Sequence, residues 1–289
     1  MKGVFFMNTE TNQKMWIDKV HQNLILRGRS EKTFKNYKSA LLRFLKYYDV
    51  KTKIKNLKEE DIINFLNDEY IKPGKCKDSY NVAVCSIRLM YLVCFNKSLN
   101  RLLLPTCKRT KKLPTIMPLD TFVKIVNDEK KLKYKCWLLL AFFSGLRASE
   151  VVNIKVEDVN AREHKLKVLG KGNKERYTIL TNIEIKALRA YCITNNIKSG
   201  YIFKRSSSSK NGMSGNTVVG YFTNIKHLYN LNKNISFHSL RHSFATNYLK
   251  MGGNLLQLQS MLGHENINTT TIYLHLSFNY NDLGGVKYV

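Results

Sequence analysis

The chain has 289 residues, 44% of them hydrophobic, and 48 Lys and Arg against 21 Asp and Glu give it a net charge of +27 and a pI near 9.8. That length and apolar content give room for two domains with cores of their own, and the positive surplus points to a polyanion partner, most simply nucleic acid. No run approaches the roughly 18 apolar residues of a membrane span, and residues 1–7 hold too short an apolar stretch for a secretory signal, so a cytoplasmic protein is expected. Six cysteines, Cys76, Cys85, Cys94, Cys107, Cys136 and Cys192, never form a Cys-x-x-Cys pair. Zinc and dithiol spacings are therefore missing, and the thiols read as reduced. The charge is evenly shared: 24 basic and 10 acidic residues up to Lys112 (+14), then 24 and 11 (+13). Equal excess in both halves suggests two surfaces that grip one duplex.

From Trp16 to about Asn96, apolar residues recur at helical spacing in four segments. Ile17, Val20 and Leu24 form one stripe; Phe34, Tyr37, Leu41, Phe44 and Tyr48 a second; Ile62, Phe65 and Leu66 a third; Tyr80, Val84, Ile87, Tyr91 and Phe95 a fourth. Ser30 and Asp78 stand where N-caps belong. The spacing predicts an all-α domain over residues 1–103 with the aromatic stripes inside it. Lys32, Lys35, Lys38 and Arg43, on the other faces, are its candidate nucleic-acid contacts.

Pro105 and Pro114 bracket Lys108, Arg109, Lys111 and Lys112, so residues 104–114 read as a basic linker. Either it tracks a phosphate backbone or it is a solvated connector. Residues 115–289 form the second domain, with helices expected over 120–127, 133–152, 184–194, 215–229, 238–251, 255–261 and 269–276. Between them, 165–181 alternates about Gly170-Lys171-Gly172-Asn173 and predicts a β-hairpin. Residues 206–212 read as a flexible loop, and 277–289 as a tail that either frays or docks on a neighbour. The fold class is mainly α with a small β-sheet.

The residues able to carry chemistry follow in order. Arg147 lies in Gly145-Leu146-Arg147-Ala148-Ser149-Glu150, Lys171 at the turn tip, His238 and Arg241 in His238-Ser239-Leu240-Arg241, His264 in Leu262-Gly263-His264, and Tyr273 nine residues on. Arginines among apolar runs are rarely buried unpaired, and their planar forks suit phosphate oxygens. A phenol with a pKa near ~10 is a latent nucleophile where cations help it ionise. No Gly-x-x-x-x-Gly-Lys-[Ser/Thr] motif occurs, nor an acidic cluster of the kind two-metal nucleases use.

In this order and with these neighbours, the six residues resemble the tyrosine recombinase (phage integrase) family, over about residues 115–277 strongly and before that weakly. The resemblance implies a SAM-like helical core-binding domain followed by an α+β catalytic domain, of the compact Xer-like or simple integrase type without an arm-binding domain. It implies a site-specific DNA recombinase that works through a covalent 3′-phosphotyrosyl link and a four-way junction, without a cofactor or metal, on a double-stranded site where it assembles as a tetramer. Tyr273 is then the nucleophile, with Tyr280 and Tyr288 as competitors, and Arg147 and Arg241 bind the phosphate. Lys171 protonates the leaving 5′ oxygen, with Lys174 as competitor and DNA contact; His238 accepts a proton; His264 donates a hydrogen bond to phosphate; Glu150 supports the active-site histidine. His242 and His275 are expected to face away. Two other readings stay open: a catalytically silent DNA-binding or architectural protein, and a type IB topoisomerase-like relaxing enzyme.

Overall fold

The computed structural model describes residues 9–48, 53–108, 113–170, 174–204 and 212–277. They form two compact units that divide between Lys111 and Lys112. Among the described residues no helix is long and apolar enough to cross a membrane.

The first unit is helical: α1 (Thr9–Leu26), α2 (Glu31–Tyr47), a 3-10 turn (Ile54–Asn56), α3 (Glu59–Leu66) running into a π turn (Asn67–Ile71), and α4 (Lys77–Phe95). Ser30 caps α2, its hydroxyl accepting the Thr33 N–H at 3.3 Å, which satisfies one of the first-turn donors a helix leaves open. At α4 the expected cap is displaced: Cys76 holds the N-cap position and Asp78 sits in the first turn, where its charge still suits the helix dipole. Val20, Leu41, Phe44, Ile62, Phe65, Val84, Ile87 and Tyr91 are buried in one core. Phe44 and Phe65 meet edge to face, their centroids 5.1 Å apart. The aromatic stripes are thus packing. Part of the expected linker belongs to this unit as well. Leu104 is buried in its core, and the Cys107 backbone exchanges two hydrogen bonds with the Asn81 side chain, at 2.7 and 3.0 Å.

The second unit begins with α5 (Leu119–Asp128) and α6 (Leu132–Phe143), followed by a sharp turn and α7 (Ala148–Val151). A three-stranded antiparallel sheet comes next, β1 (Val159–Asn160), β2 (Lys165–Leu169) and β3 (Glu175–Ile179), in the order β1-β2-β3 with Val168 opposite Arg176. α8 (Asn182–Thr194), α9 (Gly215–Leu228), α10 (Phe237–Lys250), α11 (Leu255–Leu262), two 3-10 turns (Ile267–Thr269, Thr271–Tyr273) and α12 (Leu274–Ser277) complete it. α6 is buried from Cys136 to Phe142 and packs against α8 and α10, which makes it the central helix.

The single helix expected over 133–152 is broken at residues 144–147, and the break builds the site. Gly145 adopts φ +68°, and a Cβ there would stand 2.4 Å from Cδ1 of Phe244. The position needs glycine for both conformation and space. Ser144 anchors the turn: its hydroxyl donates to Ile179 O (2.6 Å) and shares a hydrogen with Glu184 Oε1 (2.5 Å), while Thr178 Oγ1 donates to Ser144 O (2.8 Å). Burial pushes the Glu184 carboxyl up to about 7, against the lowering effect of Ser144 and Thr181. The helix expected over 269–276 is also divided, into a 3-10 turn and α12. Thr270 stands before the turn that carries Tyr273.

Candidate active site

Arg147 occupies the N-cap position of α7. Glu150 closes the turn by accepting the Arg147 backbone N–H and its Nη1, each at 2.8 Å. The Glu150 carboxylate is buried, and Arg176 of β3 grips both its oxygens, Nη1 at 2.9 Å and Nη2 at 2.8 Å; Arg241 Nη1 lies 3.7 Å away. Burial alone would raise that carboxyl, but the Arg176 hydrogen bonds and charge, the Arg147 N–H and Arg241 hold it down at about 2. The histidine-supporting role expected of Glu150 is therefore not what its hydrogen bonds serve. They go to arginines, because a buried carboxylate persists where cations meet it.

Arg241 is fully buried on α10 and ties three segments together. Its Nη1 donates to Gly145 O (2.7 Å) and its Nη2 to Leu262 O (2.5 Å) and His264 Nε2 (3.2 Å). Nε is buried with no hydrogen-bond partner among the described residues. Burial, then the charge of Arg147, lowers the guanidinium to about 9, so it stays protonated at neutral pH. A guanidinium only donates. His264 Nε2 is therefore the acceptor, and the ring's own proton sits on Nδ1, facing Thr270 Oγ1 at 2.9 Å.

His238 and His242 lie one helical turn apart on α10, and their rings meet edge to face at 4.5 Å. Tyr273 is buried, with its hydroxyl 2.8 Å from His242 Nδ1 and its ring parallel to that of His264, centroids 6.5 Å apart. His242 thus faces the site. Positions i and i+4 share a helix face, and that spacing from His238 is the signal that identifies it. His275 is exposed on α12. Burial first, then the charge of nearby arginines and imidazoles, lowers His238 to about 4, His242 to about 3 and His264 to about 4. All three are neutral at neutral pH. Burial raises the Tyr273 phenol, against the lowering pull of Arg241 and Arg147.

Arg147, Glu150, His238, Arg241, His264 and Tyr273 are thus gathered on one unit, joined by Arg176 and His242. Arg176 is legible only as a break in pattern: β3 turns Arg176 and Thr178 inward and leaves Tyr177 and Ile179 outside. Lys171, Arg109, Lys111 and Lys112 lie outside the described residues, as do Tyr280 and Tyr288. Lys174 is exposed and pairs with Glu265 at 2.7 Å. Lys32, Lys35 and Lys38 are exposed on α2, and Lys108 is exposed as well. Arg43 is already engaged, 3.7 Å from Glu69 and lying over the Tyr70 ring.

A buried phenol held by a neutral imidazole, beside two arginines that converge from separate segments, is equipped for phosphoryl transfer to an oxygen nucleophile. Comparison with known proteins agrees. The phage integrase family matches residues 117–280, and the phage integrase N-terminal SAM-like domain matches residues 16–100. The chain belongs to the phage integrase family and is a tyrosine site-specific recombinase. It is similar to the tyrosine recombinase XerD of Halalkalibacterium halodurans, 27% identical with 89% of this chain and 91% of the relative covered. A tyrosine recombinase of Thermosipho africanus is 29% identical over 87% of this chain and 91% of its own length. The fold is shared with the XerH site-specific recombinase bound to palindromic difH substrate in a post-cleavage complex (TM-score 0.73, 19% identity, 90% of this chain and 81% of that one). It is shared also with a lambda integrase tetramer bound to a Holliday junction (TM-score 0.69, 20% identity, 88% and 77%).

Proposed function

We propose that this protein cuts and rejoins double-stranded DNA at a specific site, with Tyr273 as nucleophile and a tetramer exchanging strands through a four-way junction. The observation that carries the reading is the buried Tyr273, its hydroxyl on His242 and its ring parallel to that of the Arg241-bonded His264, with Arg147 turned into the same cluster by Gly145 and Glu150. Tyr273 Oη attacks the scissile phosphorus, an Oη–P bond forms as the P–O5′ bond breaks, and a 3′-phosphotyrosyl link results. Arg147 and Arg241 meet the charge that builds on the non-bridging oxygens. Lys171 gives the departing 5′ oxygen its proton. The link keeps the energy of the phosphodiester, so a 5′ hydroxyl from another duplex reverses the step without ATP. Lys32, Lys35, Lys38, Lys108 and Lys174 supply exposed positive charge for the backbone, together with Arg109, Lys111 and Lys112 in the connecting segment. XerH on its DNA site and lambda integrase as a tetramer on a junction support the assembly.

The test uses a nicked duplex carrying the site recovered from random-sequence DNA by binding selection. The wild-type protein should form a covalent adduct on a denaturing gel, and Tyr273→Phe should bind that duplex equally well and form none. Adduct at wild-type level from the Phe variant would move the nucleophile elsewhere.

A further inference from the structure

We infer that His242, and not His238, is the catalytic residue that takes the phenolic proton of Tyr273. The inference rests on the reading of Tyr273 as nucleophile and adds the identity of its base.

Three imidazoles belong to the cluster that holds Tyr273, and the geometry separates them. His264 is committed: its Nε2 lone pair accepts from Arg241 and its Nδ1–H faces Thr270, so neither nitrogen can receive a proton from Tyr273. His238 makes no hydrogen bond among the described residues and meets only the edge of His242, at 4.5 Å. His242 Nδ1 stands 2.8 Å from Tyr273 Oη, within the range of a direct proton transfer. Its Nε2 makes no hydrogen bond among the described residues and can carry the ring's own proton, which leaves the Nδ1 lone pair pointing at the phenol.

A base is needed here. The arginines alone do not ionise the phenol, because burial outweighs them and leaves it above its ordinary value. The imidazole is kept neutral by the same burial and by the cations around it, so its lone pair is present before DNA arrives. The incoming phosphodiester brings negative charge into that positive surrounding and raises the proton affinity of His242 as the reaction begins. The step balances: the Tyr273 proton passes to Nδ1, Oη bonds to phosphorus, and O5′ leaves with a proton from Lys171. In religation the 5′ hydroxyl attacks, and Tyr273 leaves as it recovers its proton from the His242 imidazolium.

The experiment measures the rate of adduct formation by the full-length protein on the selected nicked duplex, with tyrosine or a more acidic ring-fluorinated tyrosine at position 273. His242→Asn can place an amide near the Nδ1 position, holding the phenol without accepting its proton. It should be slower than wild type by about a hundredfold or more with tyrosine, bind DNA normally, and recover most of that loss with fluorotyrosine. His238→Asn should gain no such recovery. Equal impairment of His242→Asn with both phenols, recovery by His238→Asn instead, or a variant as fast as or faster than wild type would each overturn the assignment. Absence of any adduct from the wild-type protein would instead sink the reading of Tyr273 on which it rests.

Discussion

Arg176 and Glu150, 26 positions apart, are joined by two parallel hydrogen bonds of 2.9 and 2.8 Å, one on each carboxylate oxygen. The carboxylate that turns the chain at Arg147 is thereby locked from the sheet side. Arg176→Ala would leave a buried charge with fewer partners, so it should cost about 3–5 kcal/mol in urea unfolding. Arg176→Lys keeps the charge but loses the fork and should fall between the two. A loss under about 1 kcal/mol for the alanine variant would show that Glu150 is satisfied without the strand.

The DNA-free protein should lose stability on acidification in two stages. The three imidazoles have an ordinary value of 6.5 and are lowered in the fold to about 4, 3 and 4. The unfolded chain therefore binds more protons below pH 6.5, and stability falls as pH drops from there toward about 4. Glu150, lowered from 4.5 to about 2, contributes fully above 4.5 and loses its contribution as pH falls through about 2. Melting temperatures across pH 8 to 2 read both windows. His242→Asn should make the first shallower, with His238 and His264 still titrating, and leave the second; a wild-type curve level from pH 8 to 5 would contradict the neutral imidazoles.

Gly145→Ala should be costly although it adds one methyl group. The residue sits at φ +68° with Phe244 already in the space a Cβ would take. The left-handed conformation and the clash together are expected to remove about 2 kcal/mol or more of stability, with adduct formation falling further because Arg147 follows two residues later. Unfolding and cleavage assays on one preparation measure both.

Replacing Lys32, Lys35 and Lys38 together by Gln should leave the melting temperature within a degree or two, since all three are exposed opposite the buried face of α2. DNA affinity should drop and depend less steeply on salt, by about one unit of slope for each phosphate no longer neutralised. An unchanged salt slope would remove this face from the DNA-binding surface.

Much of the fold is written in spacing. The α2 and α4 stripes repeat at helical intervals and lie in one core, and the alternation about Gly170 marks the hairpin. The break at residues 144–147 is hidden, because the apolar run from Trp137 resumes at Leu146 and only Ser144 and Gly145 interrupt it. Its meaning comes from Phe244, a hundred residues away, which no local pattern reports. Arg241 and Tyr273 are legible as motif members. Arg176 is obscured because β3 turns its polar residues inward, the reverse of what alternation suggests. His242 is lost to a reading that follows the His238–Arg241 interval and passes over the full turn to His242.

The Glu150 cluster does not balance as a set of charges. Arg147, Arg176 and Arg241 converge on one carboxylate, so the described side chains there carry two positive charges in excess. A phosphodiester supplies one negative charge, and the five-coordinate phosphorus formed during attack supplies two. On the proposed reaction the arginines therefore attract the five-coordinate phosphorus more strongly than the phosphodiester it comes from. Orthovanadate, which adopts that five-coordinate geometry, should raise the melting temperature more than inorganic phosphate at the same concentration.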